Sequence, residues 1–157
     1  MRHGFVKVAA SSPSLKVGNP DFNKEKIISL INKADKEGVK VIVFPELSIT
    51  GYTCGDLFFQ SSLISSSKEA LLDILDSTKD CDVLAFVGYP LKYNGKLYNT
   101  LAAIFHGSVL AFIAKRNLPT YGEFYETRWF TPSPEENIIL ESEDGDEILF
   151  GSKIIIS

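Results

Sequence analysis

The sequence has few of the residues that mark disulfide-rich, metal-binding or membrane-spanning proteins. Its 157 residues include only two cysteines, Cys54 and Cys81, which are too few for the disulfide framework of a small secreted domain. The two histidines, His3 and His106, lie far apart in the sequence and form no metal-ligand motif. No apolar run approaches the roughly 20 residues that cross a membrane. We therefore expect a cytoplasmic protein with no metal site and no membrane partner.

An excess of basic residues and a phosphate-binding loop are also missing. Lys and Arg number 16 against 20 Asp and Glu, which gives a formal net charge of −4 and a pI of about 5.2. A nucleic-acid-binding surface needs a clustered excess of basic residues, so we expect no nucleic-acid partner. The sequence contains no Walker motif or similar nucleotide loop. We therefore predict that these residues bind no cofactor.

The first half of the sequence alternates between strand and helix patterns, and the length suits one domain with a core of its own. The predicted elements are a strand at 5–10, a helix capped by Asp21 or Asn23 and ended by Gly38, a strand at 39–44, a helix at 62–78 and a strand at 83–88. This order implies right-handed crossovers and a largely parallel sheet with helices outside it, which is an α/β fold.

The second half of the sequence predicts hairpins instead. Asn94-Gly95 suits the positive φ angles of a type I′ turn, so the sheet should be mixed. The other predictions here are strands at 97–105 and 109–114, an ordered loop with one helical turn at 116–134, a solvated acidic turn region at 135–147, and strands at 148–150 and 154–156.

The last predicted strand, at 154–156, stops one residue before the end of the sequence. An apolar strand exposed at a chain end is a hazard for edge pairing unless something covers it. We therefore expect that the domain is incomplete at its C-terminus. Exposed sheet edges and apolar surface would then favour a homo-oligomer or an aggregation-prone chain.

Glu46 is the first candidate for chemistry, because it follows directly on an apolar strand. The run 41–44 contains no polar residue, and this pattern is typical of a strand buried on both faces. Pro45 cannot donate to a sheet ladder and should end the pairing. A partly desolvated carboxylate at the rim of a sheet is a plausible general base. A structural role for Glu46, as a cap or an ion pair of the following loop, is equally compatible with the pattern.

Lys115 also follows directly on a predicted strand. A lysine at the mouth of a sheet can stabilise a developing oxyanion as a fixed positive charge, although it can equally be a surface lysine at a strand end. Glu123 and Glu126 lie downstream. A glutamate close to Lys115 would keep its ammonium group charged and would orient it.

These residues stand in motifs that resemble the nitrilase, or carbon–nitrogen hydrolase, superfamily. The matching stretches are FPEL at 44–47, TGY at 50–52 and KxxLP at 115–119. Two longer stretches, GYTCGDLF at 51–58 and LPTYGEFYETRWF at 118–130, resemble the glutaminase domain of glutamine-dependent NAD synthetases. The resemblance extends from residue 5 to about residue 152, and the order and spacing of the two motif groups make it specific.

The resemblance implies an α-β-β-α sandwich, of which residues 1–157 would be the N-terminal part. It also implies a Glu–Lys–Cys triad whose cysteine attacks the side-chain amide of glutamine, forming a glutamyl thioester and releasing ammonia. By motif, Glu46 would be the general base and Lys115 would stabilise the tetrahedral intermediate. Glu126 matches the second glutamate of the family, which positions that lysine. Tyr121 falls where the family lines its glutamine pocket.

The resemblance also implies a partner domain. In the full-length synthetases, ammonia travels to a separate ATP-dependent domain that amidates deamido-NAD. The 157 residues contain no such domain, so ATP and magnesium would bind outside this chain.

The sequence departs from the family at the nucleophile. The family's cysteine follows the lysine motif on a later strand, but no cysteine follows Cys81 in this sequence. Cys54 lies eight residues after Glu46, and only Lys115 could give it the electropositive setting that a reactive thiol needs. Cys81 is expected to pack as a small apolar side chain. We therefore expect two triad members without the third, and a chain that is inactive alone.

Two other functions remain compatible with the sequence. The first is a free-standing amidase or carbamoylase of the same superfamily, which downstream coding sequence would distinguish. The second is an inactive α/β domain that serves in binding or assembly, which would show no glutamine-dependent change in thermal stability.

Overall fold

Strands and helices alternate in the first half of the chain and hairpins follow in the second, as the sequence predicts. A computed structural model describes residues 4–142 and 145–156, so His3 lies outside the described residues. The strands are β1 (Val8–Ala10), β2 (Val41–Val43), β3 (Leu84–Tyr93), β4 (Lys96–Phe105), β5 (Ser108–Ala114), β6 (Ile138–Glu141) and β7 (Glu147–Gly151). The helices are α1 (Pro20–Lys36), α2 (Ser61–Ser77) and the short α3 (Glu126–Trp129), with a 3₁₀ segment at Tyr52–Phe59.

The strands form one seven-stranded mixed sheet in the order β1-β2-β3-β4-β5-β7-β6. β1, β2 and β3 pair in parallel, β3, β4 and β5 pair in antiparallel fashion, and β7 runs parallel to β5. The predicted α/β class and mixed sheet are confirmed. Within the described residues there is one sheet, against which α1 and α2 pack their apolar side chains.

The core lies between one face of the sheet and the two long helices. Ile27 and Ile31 of α1 and Ile74 of α2 are fully buried there, together with Ile42 of β2. The prediction that β2 is buried on both faces is wrong, because Val43 on the opposite face is 40% exposed. The helices cover only one face of this strand, so its side chains alternate between the core and the open face.

Helix α1 begins earlier than the sequence predicts. Asn19 is the cap, since its side-chain oxygen accepts a hydrogen bond from the Phe22 N–H, and Pro20 occupies the first helical position. The predicted caps, Asp21 and Asn23, both lie inside the helix. Asn23 is buried and joins Lys16 to the Ile49 carbonyl through its amide. At the other end Gly38 adopts a positive φ of 73°, as expected for a helix terminator.

Two predictions for the C-terminal part are wrong. Region 135–147 contains strand β6 and is not only a solvated turn. The prediction rested on the acidic residues of this region, and charge alone does not distinguish a strand from a turn. Residues 154–156 are not a strand. The Asn137 amide bonds both the N–H and the carbonyl of Lys153, so the backbone after β7 is satisfied by a side chain instead of a strand partner.

The loop that follows β2 crosses β3 at Gly88. The Ile49 N–H donates to the Gly88 carbonyl, and the Gly88 N–H donates to the Ser48 hydroxyl. Leu47 has a positive φ of 51°, which is unusual for a residue with a large side chain. A Cβ atom at Gly88 would overlap the Leu47 nitrogen and the Pro45 oxygen. The close approach of the two backbones therefore requires glycine at this position.

A salt bridge joins the 3₁₀ segment to α3. The Asp56 carboxylate accepts hydrogen bonds from Arg128 Nε at 2.7 Å and Nη2 at 2.8 Å, and from Trp129 Nε1 at 2.9 Å. These donors hold the pKa of the Asp56 carboxyl well below its usual range. Phe58 adds an edge contact with Phe130, whose ring centroid lies 4.9 Å away. The position of the short helix α3 therefore depends on these contacts with the 3₁₀ segment.

No helix of the described part of the chain is both long and apolar enough to cross a membrane.

Replacing Gly88 with alanine should destabilise the fold, because the new methyl group overlaps backbone that has no free space to move into. We expect the free energy of unfolding, measured in urea, to fall by about 3 kcal/mol. Ala85→Gly in the same strand is the comparison, with an expected loss of about 1 kcal/mol. Equal effects of the two changes would contradict the close approach described above.

The Asp56 salt bridge should make the docking of α3 sensitive to acid. The pKa of Asp56 is lowered in the folded state, so its contribution is fully present above the unfolded value of about 4 and is lost progressively as the pH falls from there through the lower folded-state pKa. Asp56→Asn should remove this dependence and weaken the docking at neutral pH. Trp129 is the only tryptophan in the sequence, so its fluorescence, followed from pH 7 down to the pH at which the fold is lost, reports the change.

Asp76→Asn is the matched control, because it removes an exposed ion pair between Asp76 of α2 and Lys79, which follows the helix. Identical acid dependence of Trp129 fluorescence in the wild type and in Asp56→Asn would contradict this prediction.

Candidate active site

Glu46, Lys115 and Glu126 come together at one edge of the sheet. β2 and β5 run in the same direction, because two antiparallel steps separate β5 from β3, which is parallel to β2. Their carboxyl ends therefore meet at the same edge, and Glu46 and Lys115 follow these two ends. Glu126 reaches the same place as the first residue of α3, whose N–H donates to the Pro119 carbonyl. The structure thus groups the three residues that the sequence singled out.

The Lys115 ammonium group lies between two carboxylates. Its Nζ atom is 2.7 Å from Glu46 Oε1 and 2.8 Å from Glu126 Oε1. Burial lowers the pKa of Lys115, but the hydrogen bonds with Glu126 and Glu46 raise it by more, so the pKa lies above its usual value. Lys115 is therefore a fixed positive charge at neutral pH and not a proton donor.

Glu126 is the most buried member of the group, with only 2% of its surface exposed. The Tyr52 hydroxyl donates to Glu126 Oε1 at 2.6 Å, the same oxygen that accepts from Lys115. Burial and this hydrogen bond raise the pKa of Tyr52 well above its usual range. Glu126 Oε2 is buried and has no hydrogen-bond partner among the described residues. A carboxylate in this setting depends on Lys115 and Tyr52 to offset its desolvation.

Asn99 of β4 completes the group, and the sequence analysis missed it. Its side-chain Nδ2 donates to Glu46 Oε1, and its backbone carbonyl accepts from the Lys115 N–H at 2.8 Å. Asn99 is 3% exposed. Asparagine is disfavoured inside strands, so a polar residue in the predicted strand 97–105 was the available signal. Tyr52 was also missed as a site residue, although it stands in the quoted motif at 51–58.

A cavity of about 440 Å³ opens beside these residues. Its lining residues are Pro45, Glu46, Tyr52, Lys115, Pro119, Tyr121, Phe124 and Glu126. Tyr121 lies at the rim with 72% of its surface exposed, and its ring meets Phe124 edge-on at 5.8 Å. The structure therefore places Tyr121 beside the three grouped residues. The combination of apolar walls with a few convergent polar groups is that of a small-molecule site.

Neither cysteine faces this cavity. Cys54 is 5% exposed, donates its thiol hydrogen towards the Thr50 carbonyl, and packs against Leu47 and Phe58. Burial raises the pKa of the Cys54 thiol, which opposes thiolate formation. Cys81 is buried in the main core, and burial raises its pKa as well. Both cysteines therefore have structural settings.

A larger cavity, of about 700 Å³, lies between α2 and the strands β3 and β5. Leu71 and Leu75 of α2 and Phe112 of β5 are among its apolar lining residues, and it contains none of the grouped polar residues. Among residues 4–142 and 145–156, no three His, Cys, Asp or Glu side chains gather in a way that could hold a metal ion. The polar cavity beside Lys115 is thus the candidate site.

The chain is similar to named proteins over most of its length. It is 34% identical to glutamine-dependent NAD(+) synthetase of Mycobacterium tuberculosis over 156 residues, which is 99% of this chain and 23% of that protein. A crystal structure of a glutamine-dependent NAD(+) synthetase from Cytophaga hutchinsonii superposes with a TM-score of 0.86 and 28% identity, covering 93% of this chain and 25% of that one. The chain thus spans about a quarter of these relatives.

The fold also occurs in a protein of a different name. An amidase from Nesterenkonia superposes with a TM-score of 0.69 and 22% identity, covering 95% of this chain and 56% of the amidase. At that identity the likeness concerns the fold alone. The resemblance to nitrilase-like domains of NAD synthetases, drawn from the motifs at 44–58 and 115–130, is confirmed by these comparisons.

A family model described as "Carbon-nitrogen hydrolase" matches residues 7–155, nearly the whole sequence. The chain belongs to the carbon–nitrogen hydrolase family.

Proposed function

We propose that this chain carries the glutamine-hydrolysing site of a glutamine-dependent NAD synthetase. The observation that carries the proposal is the Lys115 ammonium group held between Glu46 and Glu126 beside a cavity of small-molecule size. The similarity to proteins named glutamine-dependent NAD synthetases supports glutamine as the substrate. The ammonia would serve a separate ATP-dependent domain that amidates deamido-NAD, and ATP and magnesium would bind to that domain.

Glu46 is the general base in this proposal. It takes the proton of a cysteine thiol, and the thiolate attacks the amide carbon of glutamine to form a tetrahedral intermediate. Glu46 then returns the proton to the departing nitrogen, so that the C–N bond breaks, ammonia leaves and a glutamyl thioester remains. Water then gives a proton to Glu46 as it attacks the thioester. The C–S bond breaks, glutamate leaves, and Glu46 returns the proton to the sulfur, which restores the thiol.

Lys115 stabilises the negative oxygen of each tetrahedral intermediate. Its charge is in place before the reaction, so it needs no reorganisation when the oxyanion develops. Glu126, fixed by the Tyr52 hydroxyl, holds the ammonium group in position. Tyr121 and Phe124 would enclose the carbon chain of glutamine at the rim of the cavity.

Neither of the two cysteines in the sequence is placed to act as the nucleophile. Cys54 and Cys81 are buried in packing contacts and are absent from the cavity lining. We therefore assign the nucleophilic cysteine to a residue outside these 157, positioned beside Glu46. The 157 residues would bind and orient the groups of the site without completing the reaction.

Ammonia release from glutamine tests this proposal directly. The complete product of the gene should hydrolyse glutamine, and Glu46→Gln should lower kcat by about 10³-fold because the general base is lost. Cys54→Ala should leave kcat within about twofold, because that thiol only packs. The 157-residue chain alone should release no ammonia.

Three outcomes would contradict the proposal. Loss of activity in Cys54→Ala would make Cys54 the nucleophile. Hydrolysis of simple aliphatic amides in preference to glutamine would favour a free-standing amidase, and inactivity of the complete gene product towards every amide would favour a binding or assembly module.

The charge balance between Lys115 and Glu126 can be tested by stability measurements on the 157-residue chain. Lys115→Met should lower the free energy of unfolding by about 3 kcal/mol, because it leaves the buried Glu126 carboxylate without its cation. Glu126→Gln, combined with Lys115→Met, should recover most of this loss because the buried charge is then absent. A double-mutant cycle in urea measures the coupling; additive effects of the two changes would show that Glu126 does not hold Lys115.

A further inference from the structure

We propose that Asn99 is a positioning residue that determines which oxygen of Glu46 accepts the proton during hydrolysis. The proposal rests on the function proposed above, since it assigns a role to a residue next to the general base. It follows from the hydrogen bonds of the Glu46 carboxylate, whose two oxygens have different surroundings.

Glu46 Oε1 already accepts two hydrogen bonds. One comes from Asn99 Nδ2 and the other from Lys115 Nζ at 2.7 Å. A carboxylate oxygen has two lone-pair sites, so these donors fill Oε1. No hydrogen bond joins Oε2 to any residue in the described ranges, and Glu46 lines the cavity. Oε2 is therefore the oxygen with free capacity to take a proton from a nucleophile.

Asn99 is held rigidly enough to impose this choice. It is 3% exposed and lies in the ladder between β3 and β5, opposite Pro90. Its carbonyl accepts from the Lys115 N–H, so the backbone that carries Asn99 also positions the lysine. A substitution of the Asn99 side chain leaves this backbone bond in place. Variants at this position therefore test the contact with Glu46 and not the placement of the Lys115 backbone.

A fixed donor matters here because the terminal torsion of a glutamate is soft. The χ3 angle of glutamate has a broad, nearly two-fold distribution, so without a constraint the plane of the carboxylate would rotate and its unpaired oxygen would not stay in one place. Lys115 alone does not fix the plane of the Glu46 carboxylate, because an ammonium group has three equivalent donors and accepts many orientations of the acceptor. The Asn99 amide does not titrate and sits on a strand. It therefore holds Oε1 in place at every working pH and leaves Oε2 free to accept a proton.

The alternative role for Asn99 is that of a buried polar residue whose hydrogen bonds are satisfied and nothing more. Such a role predicts a loss of stability on substitution without a change in the pH dependence of hydrolysis. The positioning role predicts an effect on kcat and a pH profile that depends on whether residue 99 can donate a proton to Oε1.

Two variants in the complete gene product distinguish these roles. Asn99→Leu removes the donor at similar volume, and we expect kcat to fall about 10²-fold while KM for glutamine stays within about threefold. Asn99→Asp keeps the shape but donates only when protonated. Relative to the wild type, its kcat should therefore rise as the pH is lowered, and a merely structural role would not produce this rise.

Thr100→Val is the matched control, because Thr100 follows Asn99 in β4 and its buried hydroxyl donates to the Tyr89 carbonyl at 2.7 Å. It removes a buried hydrogen bond of the same strand away from Glu46, so kcat and the pH profile should stay as in the wild type. An Asn99→Leu effect no larger than that of Thr100→Val, or an Asn99→Asp profile that overlays the wild type, would overturn the proposal.

A second measurement needs no catalysis and uses the 157-residue chain. In ¹H–¹⁵N spectra, the side-chain amide signal of Asn99 should shift on acidification, and Glu46→Gln should abolish this pH dependence. If glutamine is not a substrate but the amide shift is present, the proposed function fails while the contact that orients Glu46 is supported. An Asn99 amide signal with the same pH dependence in the wild type and in Glu46→Gln would overturn the inference by itself.

Discussion

The ammonium group of Lys115 between two carboxylates is the interaction on which the candidate site depends. Glu126 is buried, and a buried carboxylate is costly unless a cation and hydrogen-bond donors offset its desolvation. Lys115 supplies the cation, and Tyr52 supplies a further donor. Because these residues come from three separate segments, their association also fixes the loops that carry them. The chemistry proposed for the site uses the same charge that stabilises its structure.

The sheet makes this association possible. Two antiparallel steps return β5 to the direction of β2, so the carboxyl ends of both strands lie at one edge. The loop after β2 then has to cross β3, which it does at Gly88, where only a residue without a side chain leaves enough space. The Asp56 carboxylate also joins α3 to the 3₁₀ segment and so supports the turn that begins at Glu126. The position of the site thus depends on strand direction, on the close backbone contact at Gly88 and on the salt bridge between Asp56 and Arg128.

Much of the site could be predicted from the sequence, and the part that was missed has a physical reason. Glu46 and Lys115 were found because each follows an apolar run, and this local pattern survives in the fold. Asn99 lies inside a strand. The sequence predicts the strand, but it does not show which residues of other segments the Asn99 side chain contacts. The N-terminal cap of α1 was misplaced for a related reason, since Asn19, Asp21 and Asn23 are all good caps by composition. Only the burial of Asn23 against Ile49 showed that it belongs to a tertiary contact.

By itself, the sequence determined the alternation of strands and helices, the turn at Asn94-Gly95 and the family. It also identified Glu46 and Lys115, which follow two strands at the edge of the sheet where the candidate site lies. These features depend on local periodicity, backbone preferences and motifs, which act over a few residues. The tertiary structure decided which side chains meet: that Asn99 and Lys115 share one oxygen of Glu46, that Tyr52 reaches Glu126, and that Cys54 packs away from the cavity. Such contacts join residues far apart in the chain, so only the direction and register of the strands between them could determine them.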